Sequence, residues 1–265
     1  MKLTKLLLRF CLVILFLCSG MTVFAQSPTD HNLYSAGHAG AFVSGLYDAF
    51  YPYKQLERHG DFGLGAPDHL DGELIMLSGK YYQTRHDGIT IPLADTGKTP
   101  YAMVCFFHTD KVFKPGRALN KAALFSYLDS VLDNRNGMFA IHIKGRFKYV
   151  KTRAFPPVTQ KPYVPMADML QKQAFFEFNN IDGDFLGYKL PGFMEGPAIS
   201  GYHFHFLSAS KDKGGHVVDV IADDVTIEVE MLTSFTIDLP QTPEFKAFVF
   251  KNNAADIKSV ENGKK

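Results

Sequence analysis

The sequence predicts a mixed α+β fold, with two domains built on mixed β-sheets and a few packed helices. Three observations lead there. Apolar and polar residues alternate over several runs of strand length, only two stretches carry helical spacing, and the two kinds of segment follow no regular βαβ order. The 265 residues are enough for one or two domains with a real core. With 46% hydrophobic and 21% charged residues, wholesale disorder is excluded. Lys and Arg number 28 against 27 Asp and Glu, too even a balance for a chain whose main partner is nucleic acid. Ten histidines stand out against this neutral background, because His is both a common metal ligand and an acid–base group.

Residues 1–25 read as a secretory signal. Lys2, Lys5 and Arg9 form a basic region, Phe10 to Leu17 is apolar, and Val23-Phe24-Ala25 offers a cleavage point before Gln26. The apolar run is short for a membrane span. Cleavage implies export, to the periplasm or the medium, and no membrane association afterwards. It removes three basic groups and no acid, leaving 25 basic against 27 acidic residues, net −2. Cys11 and Cys18 leave with it. Cys105, alone in the apolar run Met103 to Phe107, reads as core rather than as a nucleophile.

In the mature chain, Gly60-Asp61-Phe62-Gly63-Leu64-Gly65 is a glycine-rich turn, without the Gly-Lys-Ser/Thr of a phosphate loop. Glu73 to Leu77 is a strand, which Ser78-Gly79 folds back onto Lys80 to Gln83. Tyr101 to His108 is an apolar run of strand length. Leu119 to Leu132 is the clearest helix: Leu124, Tyr127, Leu128, Val131 and Leu132 share one face, Asn120 caps it and Asn136-Gly137 supplies a stop. Phe139, Ile141 and Ile143 alternate with Ala140, His142 and Lys144 in a strand that continues to Tyr149. Pro156, Pro157 and Pro162 then break the chain, placing a domain boundary between residues 26–155 and 156–265. Met166 to Phe176 suits a second helix. Strands follow at 202–207, 217–221 and 225–231, with Glu228 and Glu230 on a solvated face.

Chemistry concentrates in Tyr202-His203-Phe204-His205-Phe206. Residues two apart on a strand share a face, so both imidazoles reach one ion. Ser208 to Gly215 doubles the chain back. A hairpin that sets His216 opposite Leu207 puts its ring diagonally beside His205 on the same face. Three neutral imidazoles with a fourth position open suit a catalytic Zn²⁺ site. The bland alternative is three hydrogen-bonded histidines in an aromatic sheet. Glu73 and Arg153 are candidates for a buried acid–base carboxylate and a carboxylate clamp, against ordinary exposed roles. The other seven histidines read as surface or structural.

In order along the chain, Leu56-Glu57-Arg58-His59-Gly60-Asp61-Phe62-Gly63-Leu64-Gly65, Leu70-Asp71-Gly72-Glu73-Leu74, Lys98-Thr99-Pro100-Tyr101-Ala102, Gly145-Arg146-Phe147, Arg153 with Gln160-Lys161-Pro162-Tyr163, Gly201-Tyr202-His203-Phe204-His205-Phe206 and Gly214-Gly215-His216-Val217 resemble the α-acetolactate decarboxylases. The resemblance covers about residues 34–250. It implies conversion of 2-acetolactate to acetoin and CO₂ on two mixed α/β domains, and Zn²⁺ held by His203, His205 and His216. It implies also that Glu73 and Arg153 line the site and that a Glu of the C-terminal tail, here Glu261, reaches the metal region. Ala66 departs from the family, which commonly has Thr there, and so does the segment Ala66-Pro67-Asp68-His69. The partner expected is a small-molecule substrate, with no nucleic acid; a homodimer is the assembly considered. Two rival readings are a cupin-like metal dioxygenase, which also uses His-x-His, and a non-catalytic exported binding module.

Overall fold

The computed structural model describes residues 31–250 and 254–261. The signal expected at residues 1–25 lies outside them. Among the described residues, no helix is long and apolar enough to cross a membrane. Residues 31–265 group as one unit.

Two large sheets dominate. The first is mixed, with seven strands in the order β15-β1-β8-β3-β4-β5-β6. These are β1 (Asn32–Ala36), β3 (Phe62–Ala66), β4 (Glu73–Leu77), β5 (Lys80–Thr84), β6 (Thr90–Leu93), β8 (Tyr101–Cys105) and β15 (Ser234–Asp238). Only β1 and β15 run parallel. The second sheet is antiparallel and built on three long strands: β11 (Met138–Ala154), β12 (Ala174–Leu190) and β14 (Gly214–Leu232). Strand β13 (Gly201–Ser208) pairs with β12 along its length and with the start of β14. The path β14-β11-β12-β13-β14 therefore closes on itself. Short strands β9 (Lys111–Phe113) and β10 (Leu119–Asn120) add to β14, and β2 (Tyr51–Pro52) pairs separately with β7 (Lys98–Thr99). The helices are α1 (Ala39–Val43), α2 (Tyr53–Leu56), α3 (Lys121–Val131), α4 (Pro243–Ala247) and α5 (Ala254–Glu261).

The period-two pattern explains how the layers pack. Phe139, Ile141 and Ile143 of β11 enter one aromatic-rich core with Phe185, Phe204 and Phe206. The other side of the same sheet, with Ala140, Leu186, Tyr188 and Leu207, packs on the inward face of the first sheet, which contributes Phe62, Leu64, Ile75, Tyr101 and Met103. A sheet covered on both faces has no polar side, so Ala140 is fully buried and His142 is held by Asp184 at 2.9 Å.

The α3 helix forms where its spacing predicts, and Asn120 caps it by accepting from the Ala123 amide at 2.9 Å. It ends at Val131, one residue from the expected Leu132, which turns extended and is buried. The second expected helix is a single 3₁₀ stretch, Met166–Lys172; Phe175 and Phe176 are already in β12. The two strands expected at 217–221 and 225–231 are one, β14, which changes register against β11 at three places. Glu230 is not solvated: its side chain is fully buried, accepting from the His108 amide at 3.0 Å and paired with His31 at 2.9 Å.

A candidate metal centre between the sheets

The hairpin from β13 to β14 brings the three histidines together. It is tighter than the sequence suggests. Ser208 N donates to Lys213 O, Lys211 takes a left-handed conformation at φ 62°, and pairing resumes at Leu207 opposite Gly214. His216 consequently faces His205 directly rather than Leu207. The two registers differ by a two-residue slip, which leaves every side chain on its original face. The rings stand 5.0–5.5 Å apart, centroid to centroid. One ligand nitrogen from each lies within 4.8 Å of the others, and all three residues are buried.

The next strand adds Arg153. It pairs with His216 in the β11–β14 ladder and is 3% exposed. Its Nη1 donates to Glu73 Oε1 at 2.7 Å and its Nη2 to the Val260 carbonyl at 3.3 Å, while Nε is buried without a partner. Glu73 comes from the first sheet, at the start of β4, on the same inward face as Ile75. Its second oxygen is 3.3 Å from His205 Nε2. Glu261 closes the site from α5, with Oε2 3.7 Å from His203 Nε2 and 3.8 Å from His216 Nε2. The helix seats by its buried Ile257 and Val260. The structure thus gathers all six residues named from the sequence around one cavity, which Ala66 and Tyr101 also line. A wider cleft meets it at His216 and Glu261.

Electrostatics suit a cation. Burial lowers His205 to about 3 and His203 and His216 well below the usual histidine value, with the Arg153 charge adding to it. All three imidazoles are therefore neutral, as metal ligands must be. The Leu74 carbonyl accepts from His205 Nδ1 at 2.9 Å, which turns the Nε2 lone pair toward the centre. Glu261 Oε2 is buried without a hydrogen-bond partner, near the Nε2 atoms of His203 and His216, and the Glu261 carbonyl lies 3.2 Å from His216 Nε2. A buried carboxylate oxygen without a partner among imidazole nitrogens is costly unless a positive ion lies among them, so the donor set fits a divalent metal of the borderline class. Burial pushes Glu73 up to about 8, with Arg153 opposing, and Glu261 up to about 7, with Arg153 and Lys121 opposing.

Two groups that hold this arrangement have no signature in a sequence. They are the Leu74 and Val260 carbonyls, backbone atoms that any residue supplies. Glycine at 187 does carry a signal in hindsight. It sits opposite Phe204, and a Cβ there would fall 2.0 Å from the His203 carbonyl oxygen.

Fold and site together define a mixed α+β protein with a buried cluster of three histidines placed to hold a metal ion and walled by a buried Arg–Glu pair. The family model of the alpha-acetolactate decarboxylases matches residues 33–252, and the chain belongs to that family. An alpha-acetolactate decarboxylase of Methanosarcina mazei is 35% identical over 230 residues, covering 86% of this chain and 80% of that one. One from Bacillus subtilis is 33% identical over 248 residues, 92% of this chain and 97% of that one. The crystal structure of alpha-acetolactate decarboxylase from Bacillus subtilis superposes with a TM-score of 0.84 at 32% identity, covering 87% of this chain and 99% of that one.

Proposed function

We propose that the chain decarboxylates 2-acetolactate to acetoin and CO₂, with Zn²⁺ held by His203, His205 and His216. Family membership supports the reaction. The observation that carries the site is the convergence of three neutral imidazoles, an arginine and two carboxyls on one buried cavity. When bound, the ion supplies Lewis acidity toward the substrate's ketone and hydroxyl oxygens.

The remaining work falls to the protein. Acetolactate carries its carboxylate on the carbon next to a ketone. When that C–C bond breaks, its electron pair moves toward the ketone oxygen as an enediolate and CO₂ leaves. Arg153 binds and orients the carboxylate with its unpartnered Nε–H and the N–H groups that Glu73 and Val260 leave over. Glu73 delivers the proton to carbon from Oε2, the oxygen that Arg153 does not hold. Delivery from one fixed side yields one acetoin enantiomer. Glu261 and the buried face of α5 keep bulk water from the reacting carbon. The basic and apolar pattern of residues 1–25 supports export of the enzyme.

The test is a colour assay for acetoin from purified protein and acetolactate, with and without chelator, alongside metal analysis. Acetoin should form, stop on chelation and return with zinc. No acetoin from metal-loaded protein refutes the reaction. Full activity in metal-free protein refutes the metal. Oxygen uptake coupled to turnover would instead favour a dioxygenase.

A further inference from the structure

Tyr101 lines the cavity, and its hydroxyl has no part in the mechanism above. Tyr101 opens β8 on the inward face of the first sheet, directly opposite Ala66 of β3. Residues paired across strands project on the same side, so the Ala66 methyl and the Tyr101 ring stand next to each other, and both line the cavity with Glu73, Arg153 and His203. The Tyr101 ring is fixed by stacking on Phe42 of α1, with centroids 5.5 Å apart and planes 16° from parallel. The residue is 1% exposed, and its hydroxyl is buried with no hydrogen-bond partner. The Ser35 hydroxyl of the neighbouring strand gives its own hydrogen to the Gly37 carbonyl at 2.9 Å.

Buried hydroxyls are nearly always bonded, and one left over in a cavity is available to a ligand. Phenylalanine would fill the same space against Phe42 without that cost. Burial raises the phenol above its ordinary value, with Glu261 and Glu195 adding to it and the nearby Ser35 hydroxyl opposing, so the oxygen keeps its hydrogen and acts as a donor.

We infer that Tyr101 is a substrate-contacting residue, whose hydroxyl donates a hydrogen bond to an oxygen of the small hydroxy-keto acid bound in this cavity. The inference rests on the decarboxylase reading. Among the groups on the cavity wall, Arg153 takes the carboxylate and the imidazoles face the ion. The phenol is a neutral donor left for the remaining oxygens. A site that bonds a substrate oxygen discriminates strongly against analogues lacking it.

The experiment compares the parent chain with Tyr101→Phe, both loaded with zinc, by acetoin formation, zinc content and thermal unfolding. Removing the hydroxyl should lower kcat/KM by roughly tenfold to a hundredfold, the range for a lost hydrogen bond to a polar or charged substrate atom. Zinc content should stay at the parent level, and Tm should hold or rise, because no internal bond is lost. A kcat/KM within twofold of the parent overturns the inference. So does a fall in Tm or zinc content with kcat/KM unchanged, the result expected if the phenol serves Ser35 and the packing instead. A parent that forms no acetoin brings down the decarboxylase reading and this inference with it. An active parent with an equally active variant brings down only the role of Tyr101.

Discussion

Replacing Arg153 with Met removes one side chain that holds three parts of the site. Arg153 is 3% exposed and the Glu73 side chain 8%, so solvent screens their contact little. Breaking a buried ion pair from one side costs about 3–5 kcal/mol when the other charge is stranded. Glu73 has an escape, because burial already pushes it up to about 8 with Arg153 beside it. It takes a proton at neutral pH, and the cost falls to the ~1–3 kcal/mol of an under-satisfied polar group. Loss of the bond to the Val260 carbonyl adds about 1 kcal/mol and loosens α5. The sum is ~2–4 kcal/mol, which in a domain of this size lowers Tm by about 4–16 °C. The catalytic loss is larger. A carboxylate clamped by charge-assisted hydrogen bonds loses ~3–6 kcal/mol, or about a hundredfold to ten-thousandfold in kcat/KM. Thermal unfolding and the acetoin assay on zinc-loaded protein measure the two effects separately. A folded, zinc-replete Arg153→Met protein with kcat/KM within tenfold of the parent would show that the carboxylate is held elsewhere. Arg153→Lys should also fail, because a point charge cannot reach Glu73 and the substrate together.

Other perturbations probe the scaffold. Gly187→Ala puts a Cβ 2.0 Å from the His203 carbonyl, so β13 must shift, and metal analysis should show zinc loss together with a destabilisation of ~1–3 kcal/mol or more. Retention of full zinc would mean that the strand yields without moving its histidines. Asn120→Ala deletes the cap of α3, about 1 kcal/mol by urea unfolding, with kcat unchanged. For Asp184, burial pushes the carboxyl up, but hydrogen bonds from His142 and Lys211 outweigh it and hold it below its ordinary value. A depressed carboxyl contributes stability that is complete above the unfolded value near ~3.9 and is lost as pH falls through the lower folded value. Asp184→Asn should therefore flatten the acid limb of the stability–pH curve and leave it parallel to the parent above pH ~5. An unchanged acid limb would rule out this linkage.

The sequence carried the local geometry of the histidine cluster further than its surroundings. His203 and His205 share a face by strand periodicity alone. The face of His216 survived an error in the hairpin, because a two-residue slip preserves it. Glu73 and Arg153 were different. Nothing local distinguishes a buried Glu at a strand start from an exposed one, and only the family resemblance picked them out. Burial here comes from a sheet contributed by residues 80 positions away. Strand β12 was illegible for a related reason. Asn179, Asp182, Gly183 and Asp184 are poor strand formers, yet β11 pairs with all four and β13 with the last two, which overrides propensity. Glu230 misled because alternation shows which residues share a face, not what covers it. His31 and the segment at His108 cover this one.

The pairing of His205 with His216 does two jobs at once. It sets the third imidazole beside the other two, and it is the ladder that shuts the ring of strands. Opened at that seam, the second sheet would present free strand edges, the kind of surface on which β-proteins stick to one another. An ion held across the seam would therefore act as a clasp. Stripping it should be read in the tendency of the protein to self-associate as well as in its chemistry, and the enzyme's solubility and its activity then share one fastening.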